Sequence, residues 1–180
     1  MKILLFLPII FVLFACSHSR VNPSEKKLSS GFEYVSHKDK VFLSGQPSDT
    51  DLQAFKNEEK VTVVLNIRGA KEMKQAKLSQ AKAAKDLGLT YYNIAFSERG
   101  TPNPKNIAEI EKIFMKHHKK GEKVLVHCGS GQRAAAWFGT HFRISHKSSP
   151  DKALSVAEKY GLKKHALKKK LKAYLDSVSL

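Results

Sequence analysis

Apolar residues along this chain come either in short solid runs or at helical spacing, and the two kinds alternate. Val61-Thr62-Val63-Val64-Leu65-Asn66-Ile67 and Val124-Leu125-Val126 show no polar alternation, which predicts strands buried on both faces. Tyr91 to Phe96 reads as a further strand. Phe32 to Ser44 reads as two short ones, of which Val41-Phe42-Leu43 is the clearer. Helical patterns lie between them. One runs from a cap at Ser48 or Asp49 to about Asn57, one from Met73 to Leu87 with Gly88 as its stop, and one shows a face of Ile107, Ile110, Ile113 and Phe114. The Ala-rich segment from Ala134 to Phe142 is a helix, and two more begin near Pro150 and Leu162. Strands alternating with helices predict an α/β sandwich on a mostly parallel sheet. Functional loops then lie at the carboxyl ends of the strands, which brings Arg68, the Ser97–Thr101 loop and Cys128 to one edge.

The first residues fall outside this pattern. Lys2 precedes an uncharged apolar run from Ile3 to Ala15, shorter than the ~20 residues that span a bilayer but suited to a signal-peptide core. It closes on Leu13-Phe14-Ala15-Cys16, which resembles a bacterial lipoprotein cleavage box and makes Cys16 the expected lipidated residue. The alternatives are a plain secretory signal or an uncleaved anchor. The expected organisation is therefore a signal peptide over 1–15, a polar tether over 16–30 and one domain over 31–180. The expected location is the cell envelope, on the periplasmic face of the outer membrane. Lipidation would leave Cys128 as a single unpaired thiol in a compartment where structural cysteines pair, which points to a use for it.

Charge narrows the partners. Lys and Arg total 32 against 16 Asp and Glu, a net charge of +16. Lys159 to Lys172 alone carries seven lysines behind an apolar face of Leu167, Leu171, Tyr174, Leu175 and Val178. This is either a solvated helix back or a surface for anionic lipid or a polyanionic substrate. No recognition motif for nucleic acid accompanies the charge, so nucleic acid is not an expected partner. The eight histidines are scattered, and His117 and His118 cannot share one helix face, so no metal and no cofactor is expected.

The candidate chemistry sits after the Val124 strand, in His127-Cys128-Gly129-Ser130-Gly131-Gln132-Arg133. Glycines let the backbone curl so that N–H groups converge, and the helix that follows adds its partial positive charge. The same field favours the thiolate of Cys128, and Arg133 offers a planar fork to a tetrahedral oxyanion. The bland alternative is an ordinary buried cysteine after a strand.

Four segments in order carry a family resemblance: Ser44-Gly45-Gln46-Pro47; Val64-Leu65-Asn66-Ile67-Arg68 with Glu72; Tyr92-Asn93-Ile94 before a Pro-containing loop; and Val126-His127-Cys128-Gly129-Ser130-Gly131-Gln132-Arg133-Ala134 with Trp137. Together they resemble the bacterial tyrosine- and dual-specificity-phosphatase-like family, whose relatives include the beta-lactamase-hydrolase-like phosphatase group. The resemblance spans about Phe32 to Gly161. It implies a three-layer cysteine-phosphatase-like α/β fold, with helices flanking a central mostly parallel sheet. Carried over by position, Cys128 would attack phosphorus and form a phosphocysteine that water hydrolyses. Gly129, Ser130, Gly131 and Gln132 would bind the phosphoryl oxygens with Arg133, and His127 would support the cysteine from behind.

The chain also departs from the family pattern. Four residues rather than five separate Cys128 from Arg133, a spacing shared with the beta-lactamase-hydrolase-like group and with the Cys-x-x-Gly-x-Arg loop of rhodanese-type sulfurtransferases. Ala134 stands where such enzymes often carry Ser or Thr, and no Asp lies between Phe96 and Lys105. Glu98 is the sole carboxylate of that loop and the candidate general acid; otherwise it is a solvent-facing partner of Arg99. Arg68 is a candidate substrate guide, or else pairs with Glu72 across the turn. The leading expectation is a phosphomonoesterase acting on phosphotyrosine-like or polyanionic substrates such as inositol phosphates, carried by a phosphorylated small molecule or a phosphoprotein. A sulfurtransferase and a non-catalytic phosphate-binding module are the alternatives.

Overall fold

The computed structural model describes residues 22–75, 80–98 and 100–180. In chain order, the elements are β1 (Ser24–Lys27), β2 (Glu33–His37), β3 (Val41–Ser44), α1 (Asp49–Glu58), β4 (Val63–Asn66), α2 (Ala70–Gln75) and α3 (Gln80–Asp86). They continue with β5 (Thr90–Asn93), β6 (Ser97–Glu98), β7 (Thr101–Pro102), α4 (Pro104–His118), β8 (Val124–His127), α5 (Gln132–Ser145), α6 (Pro150–Lys159) and α7 (His165–Ser177).

Among the described residues six strands form one sheet in the order β1-β2-β3-β8-β4-β5. The β3–β8, β8–β4 and β4–β5 pairings are parallel, and β1–β2 and β2–β3 are antiparallel. The solid apolar runs are the three central strands, covered on both faces. Val41, Leu43, Val63, Leu65, Val124 and Val126 point to one face, where they meet Ile107, Ile110 and Phe114 of α4 and the apolar residues of α5, α6 and α7. Phe42, Val64 and Leu125 point to the other, against Leu52 and Phe55 of α1 and Ala84 of α3. The result is three layers, helices on both faces of a mixed and mostly parallel sheet. Each fully buried Phe or Leu here contributes about 1.5–3 kcal/mol. Gly139 lets α5 and α6 touch: a Cβ there would lie 2.6 Å from the Ala153 carbonyl oxygen and 2.7 Å from Ala157 Cβ.

Several boundaries differ from the sequence expectation. Ser24–Lys27, expected within the tether, is the edge strand of the sheet. Its side chains are largely exposed and show no apolar alternation; backbone pairing to β2, with buried Leu28 in the connecting turn, makes it a strand. The helix expected over Met73–Leu87 begins earlier, at Ala70, and appears as α2 and α3, with 76–79 outside the described residues. The strand expected to reach Phe96 ends at Asn93, beyond which Phe96 turns into the core. The Ser97–Thr101 loop contains a two-residue hairpin, β6–β7. The last helix starts at His165, because Leu162 is spent in a buried turn. Ser48 caps α1 and Gly88 stops α3 as expected, the latter with φ +68°. The signal-peptide segment and Cys16 lie outside the described residues.

Candidate active site

The register brings Ser44, His127 and Asn66 to the same level across the three central parallel strands, so their following turns open side by side. After β8 the chain enters the loop Cys128–Gly131 and then α5. Gly131 is the N-cap residue, at φ +77°, a left-handed conformation that a residue with a Cβ adopts only at a cost. Among the described residues no side chain caps α5, so its first-turn N–H groups face the loop without a capping oxygen from them. The loop is braced from β3: Cys128 N donates to the Ser44 carbonyl at 3.3 Å, Gln46 N donates to the Gly129 carbonyl at 3.2 Å, and Gly45 bridges Ser130.

Cys128 is free and fully buried. Arg133, five residues on, donates from Nη1 and Nη2 to the two carboxylate oxygens of Glu72, each at 2.8 Å. Arg68 joins the same carboxylate from Nε at 2.8 Å and reaches Gln46 Oε1 from Nη1. One carboxylate thus orients two guanidinium groups beside the cysteine loop. It rests against that loop, since a Cβ on Gly129 would lie 3.3 Å from Glu72 Oε1. Arg133, and Arg68 after it, hold the Glu72 carboxyl below the usual carboxylate range, and burial opposes them. Burial of Arg133 disfavours its charge, but its bonds to Glu72 and to Cys128 outweigh that and raise its pKa further.

Asn66 and Asn93 fix the turn that carries Arg68. Fully buried Asn66 accepts from Arg68 N at 3.0 Å and donates to Tyr91 Oη at 2.8 Å. Asn93 Nδ2 donates to the carbonyls of Asn66 and Arg68. Over Ser130 and Arg133 opens a cleft of about 560 Å³, walled by Lys71 and Glu72 of α2 and by Lys164, Leu167 and Lys170 at the start of α7. Ser97 and Gly100, in and beside the β6–β7 hairpin, complete the rim.

No protein-family model and no characterised protein matches the chain by sequence. Solved structures do match. PTPMT1 superposes with a TM-score of 0.63 over 77% of this chain and 90% of its own, at 20% identity. TpbA of P. aeruginosa gives a TM-score of 0.67 over 89% of this chain and 92% of its own, at 10% identity. Kinase associated phosphatase, solved with serine in place of its catalytic cysteine, gives 0.65 over 87% and 93%, at 15% identity. The chain has the tyrosine- and dual-specificity-phosphatase fold.

Within this phosphatase fold the expected site residues converge only in part. Cys128, Gly129, Ser130, Gly131 and Arg133 form the loop and the first turn of α5. Arg68 lies beside them, with its guanidinium engaged by Glu72 and Gln46. Gln132 is different, because its amide is bonded to Gly161, Lys163 and Lys164. His127 is fully buried between β3 and β4, and burial lowers its pKa to about 3, so it is neutral. Its nearest partner is the Cys128 carbonyl at a long 3.5 Å, and Nε2 has no hydrogen-bond partner among the described residues. The Glu98 backbone pairs with Thr101 at the cleft rim; its side chain lies outside the described structure. Glu72 was visible in the sequence only as a neighbour of Arg68. Its larger role, the grip on Arg133, joins residues 61 positions apart.

Proposed function

We propose that this chain is a phosphomonoester hydrolase in which Cys128 is the nucleophile. The observation that carries the reading is the Arg133 guanidinium, held in plane by two bonds to Glu72, next to a buried cysteine at the open N-terminus of α5. The Cys128 thiolate attacks phosphorus while the bond from phosphorus to the ester oxygen breaks. The leaving oxygen takes its proton from Glu98 or, for a leaving group of low pKa, departs as the anion. Water then attacks phosphorus, giving its proton to the Glu98 carboxylate or to solvent, the phosphorus–sulfur bond breaks, and thiolate and inorganic phosphate are released. Arg133 and the loop N–H groups bind the three equatorial oxygens as their charge develops.

The net charge of +16 and the lysines on both cleft walls favour a densely anionic substrate over a neutral-flanked phosphotyrosine peptide. PTPMT1, a protein of the same fold, has been solved in complex with PI(5)P, which agrees with a phosphorylated small molecule as the substrate class. The lipoprotein-like box at Cys16 supports a lipid anchor that holds this activity at the envelope membrane, and Cys16→Ser is then expected to release the protein from the membrane fraction. Among the described residues no helix is long and apolar enough to cross a membrane.

The test is phosphate release from p-nitrophenyl phosphate by the purified protein and by Cys128→Ser. Turnover that disappears in the variant supports the reading. Tight phosphate binding without turnover in either protein would replace it with a binding module, and sulfur transfer from thiosulfate to cyanide would replace it with a sulfurtransferase.

A further inference from the structure

Gln132 opens α5 inside the anion loop, yet its amide is committed elsewhere. Nε2 donates to the Gly161 carbonyl at 2.7 Å, and Oε1 accepts from Lys163 N at 2.8 Å and Lys164 N at 2.9 Å. Lys164 is the N-cap residue of α7 and makes no side-chain cap, so Gln132 supplies an oxygen to backbone N–H groups at the entry to that helix. The rest of α7 is equally fixed. Leu171 and Leu175 are fully buried, and Arg143 donates to the carbonyls of Leu175 and Val178. The cationic wall that α7 presents to the cleft is therefore a built surface, clamped to the same residue run that carries Cys128 and Arg133.

Facing it across about 560 Å³ is Lys71 on α2, with Arg133 on the floor between the two walls. Lys71 and Lys164 are both exposed, and neither belongs to the Glu72 cluster that holds Arg133 and Arg68. A space of this size takes a compact polyol-sized ligand. Among the described residues no ion pair engages Lys71 or Lys164, so one anion on Arg133 leaves the charge of these two lysines unanswered.

We infer that the cleft contains a second anion site, formed by Lys71 and Lys164 from opposite walls, and that Gln132 is the positioning residue that fixes its α7 side. This inference rests on the reaction proposed at Cys128. It assigns the substrate class as a phosphomonoester that carries a second phosphate on a compact polyol, whether free or as a lipid headgroup. The reacting phosphate lies on Arg133 and the loop, and the second phosphate lies between the two lysines. A unit charge pair at contact distance in water corresponds to about a 5-fold effect, so two lysines together give about 25-fold.

The experiment compares kcat/KM for inositol bisphosphate with that for p-nitrophenyl phosphate, as a ratio, in the full protein and its variants. In Lys71→Gln/Lys164→Gln the ratio is expected to fall about 25-fold, through KM for the bisphosphate. Gln132→Met removes all three bonds at similar side-chain length, and it is expected to lower the same ratio through KM. Lys119→Gln/Lys120→Gln removes an equal charge from the exposed loop between α4 and β8, and the ratio is expected to stay at the wild-type value. A ratio unmoved by the Lys71/Lys164 substitution, or lowered as much by Lys119→Gln/Lys120→Gln, overturns the subsite in favour of bulk charge. A fall in kcat for both substrates with Gln132→Met returns that residue to the catalytic loop.

Equilibrium binding of inositol bisphosphate to Cys128→Ser, with and without the lysine substitutions, reads the subsite without turnover. The proposed reaction can thus fail while the subsite stands, or the reverse. Phosphatidylcholine vesicles carrying a phosphatidylinositol monophosphate separate the two sources: hydrolysis faster than that of the soluble bisphosphate identifies the headgroup, and slower hydrolysis the free polyol.

Discussion

Replacing Glu72 by Gln keeps the size of the side chain and removes its charge. The carboxylate accepts three charge-assisted bonds of 2.8 Å, two from Arg133 and one from Arg68. An amide presents one oxygen and one NH2 group to the same guanidinium groups, so at least one N–H faces another donor. Bonds to charged partners contribute about 1.5–3 kcal/mol each where they are shielded from water. Glu72 is 35% exposed and Arg133 23%, which reduces the net loss to about 2 kcal/mol. That corresponds to about a 30-fold fall in kcat/KM for p-nitrophenyl phosphate if the full loss appears as misorientation of Arg133 in the transition state. The pH dependence has a definite sign. Arg133 lowers the Glu72 pKa in the folded state, so the stability this carboxylate contributes is complete above the ordinary carboxylate pKa of 4.5 and disappears as pH falls below it. The assay is steady-state kinetics alongside urea unfolding, at pH 7 and at pH 4. Wild-type kcat/KM in Glu72→Gln would refute the orienting role. A rise in activity would instead make the carboxylate a plug over the loop, since it rests on Gly129.

Gly139→Ala forces a Cβ to 2.6 Å from the Ala153 carbonyl oxygen and should destabilise the fold by about 1–3 kcal/mol by prising α6 from α5; an unchanged urea midpoint would contradict that packing. Acid should weaken the protein well above the carboxylate range. Burial lowers His127 to about 3 and His37 to about 4 from an ordinary 6.5, so the folded state binds fewer protons than the unfolded one, and stability present above pH 6.5 is lost as pH falls toward 4. His127 alone accounts for about 2 kcal/mol between pH 7 and pH 5, and equal unfolding free energies at those two pH values would exclude it. Leu171→Ala should cost about 2–5 kcal/mol, because α7 is held to the core through this fully buried side chain; a loss below 1 kcal/mol would mean that α7 is not part of the cooperative fold.

Much of this architecture is legible in the chain because burial on both faces leaves a plain trace. Val61–Ile67 and Val124–Val126 carry no alternation, and both belong to the sheet centre. The cysteine loop is legible for a similar reason: strand, glycines, arginine and helix follow one another within a dozen residues, so the local order already contains the geometry. What stays hidden is either non-local or made by the backbone. The Arg133–Glu72 grip depends on β4 and β8 lying side by side, which nothing at either position announces. Gln132 sits in the loop by sequence, and only the folded position of Gly161–Lys164 shows that its amide is spent on the entry to α7. Ser24–Lys27 becomes a strand through pairing with β2, and its polar side chains give no hint of it.

The proposed chemistry depends on Cys128 as a nucleophile that carries phosphate. The most direct measurement is mass spectrometry of protein quenched in acid during turnover of p-nitrophenyl phosphate. One phosphoryl group on the peptide containing Cys128, present in the wild type and absent from Cys128→Ser, is the predicted result. Sustained phosphate release with no adduct on that peptide, and undiminished in Cys128→Ser, would contradict the mechanism at its root.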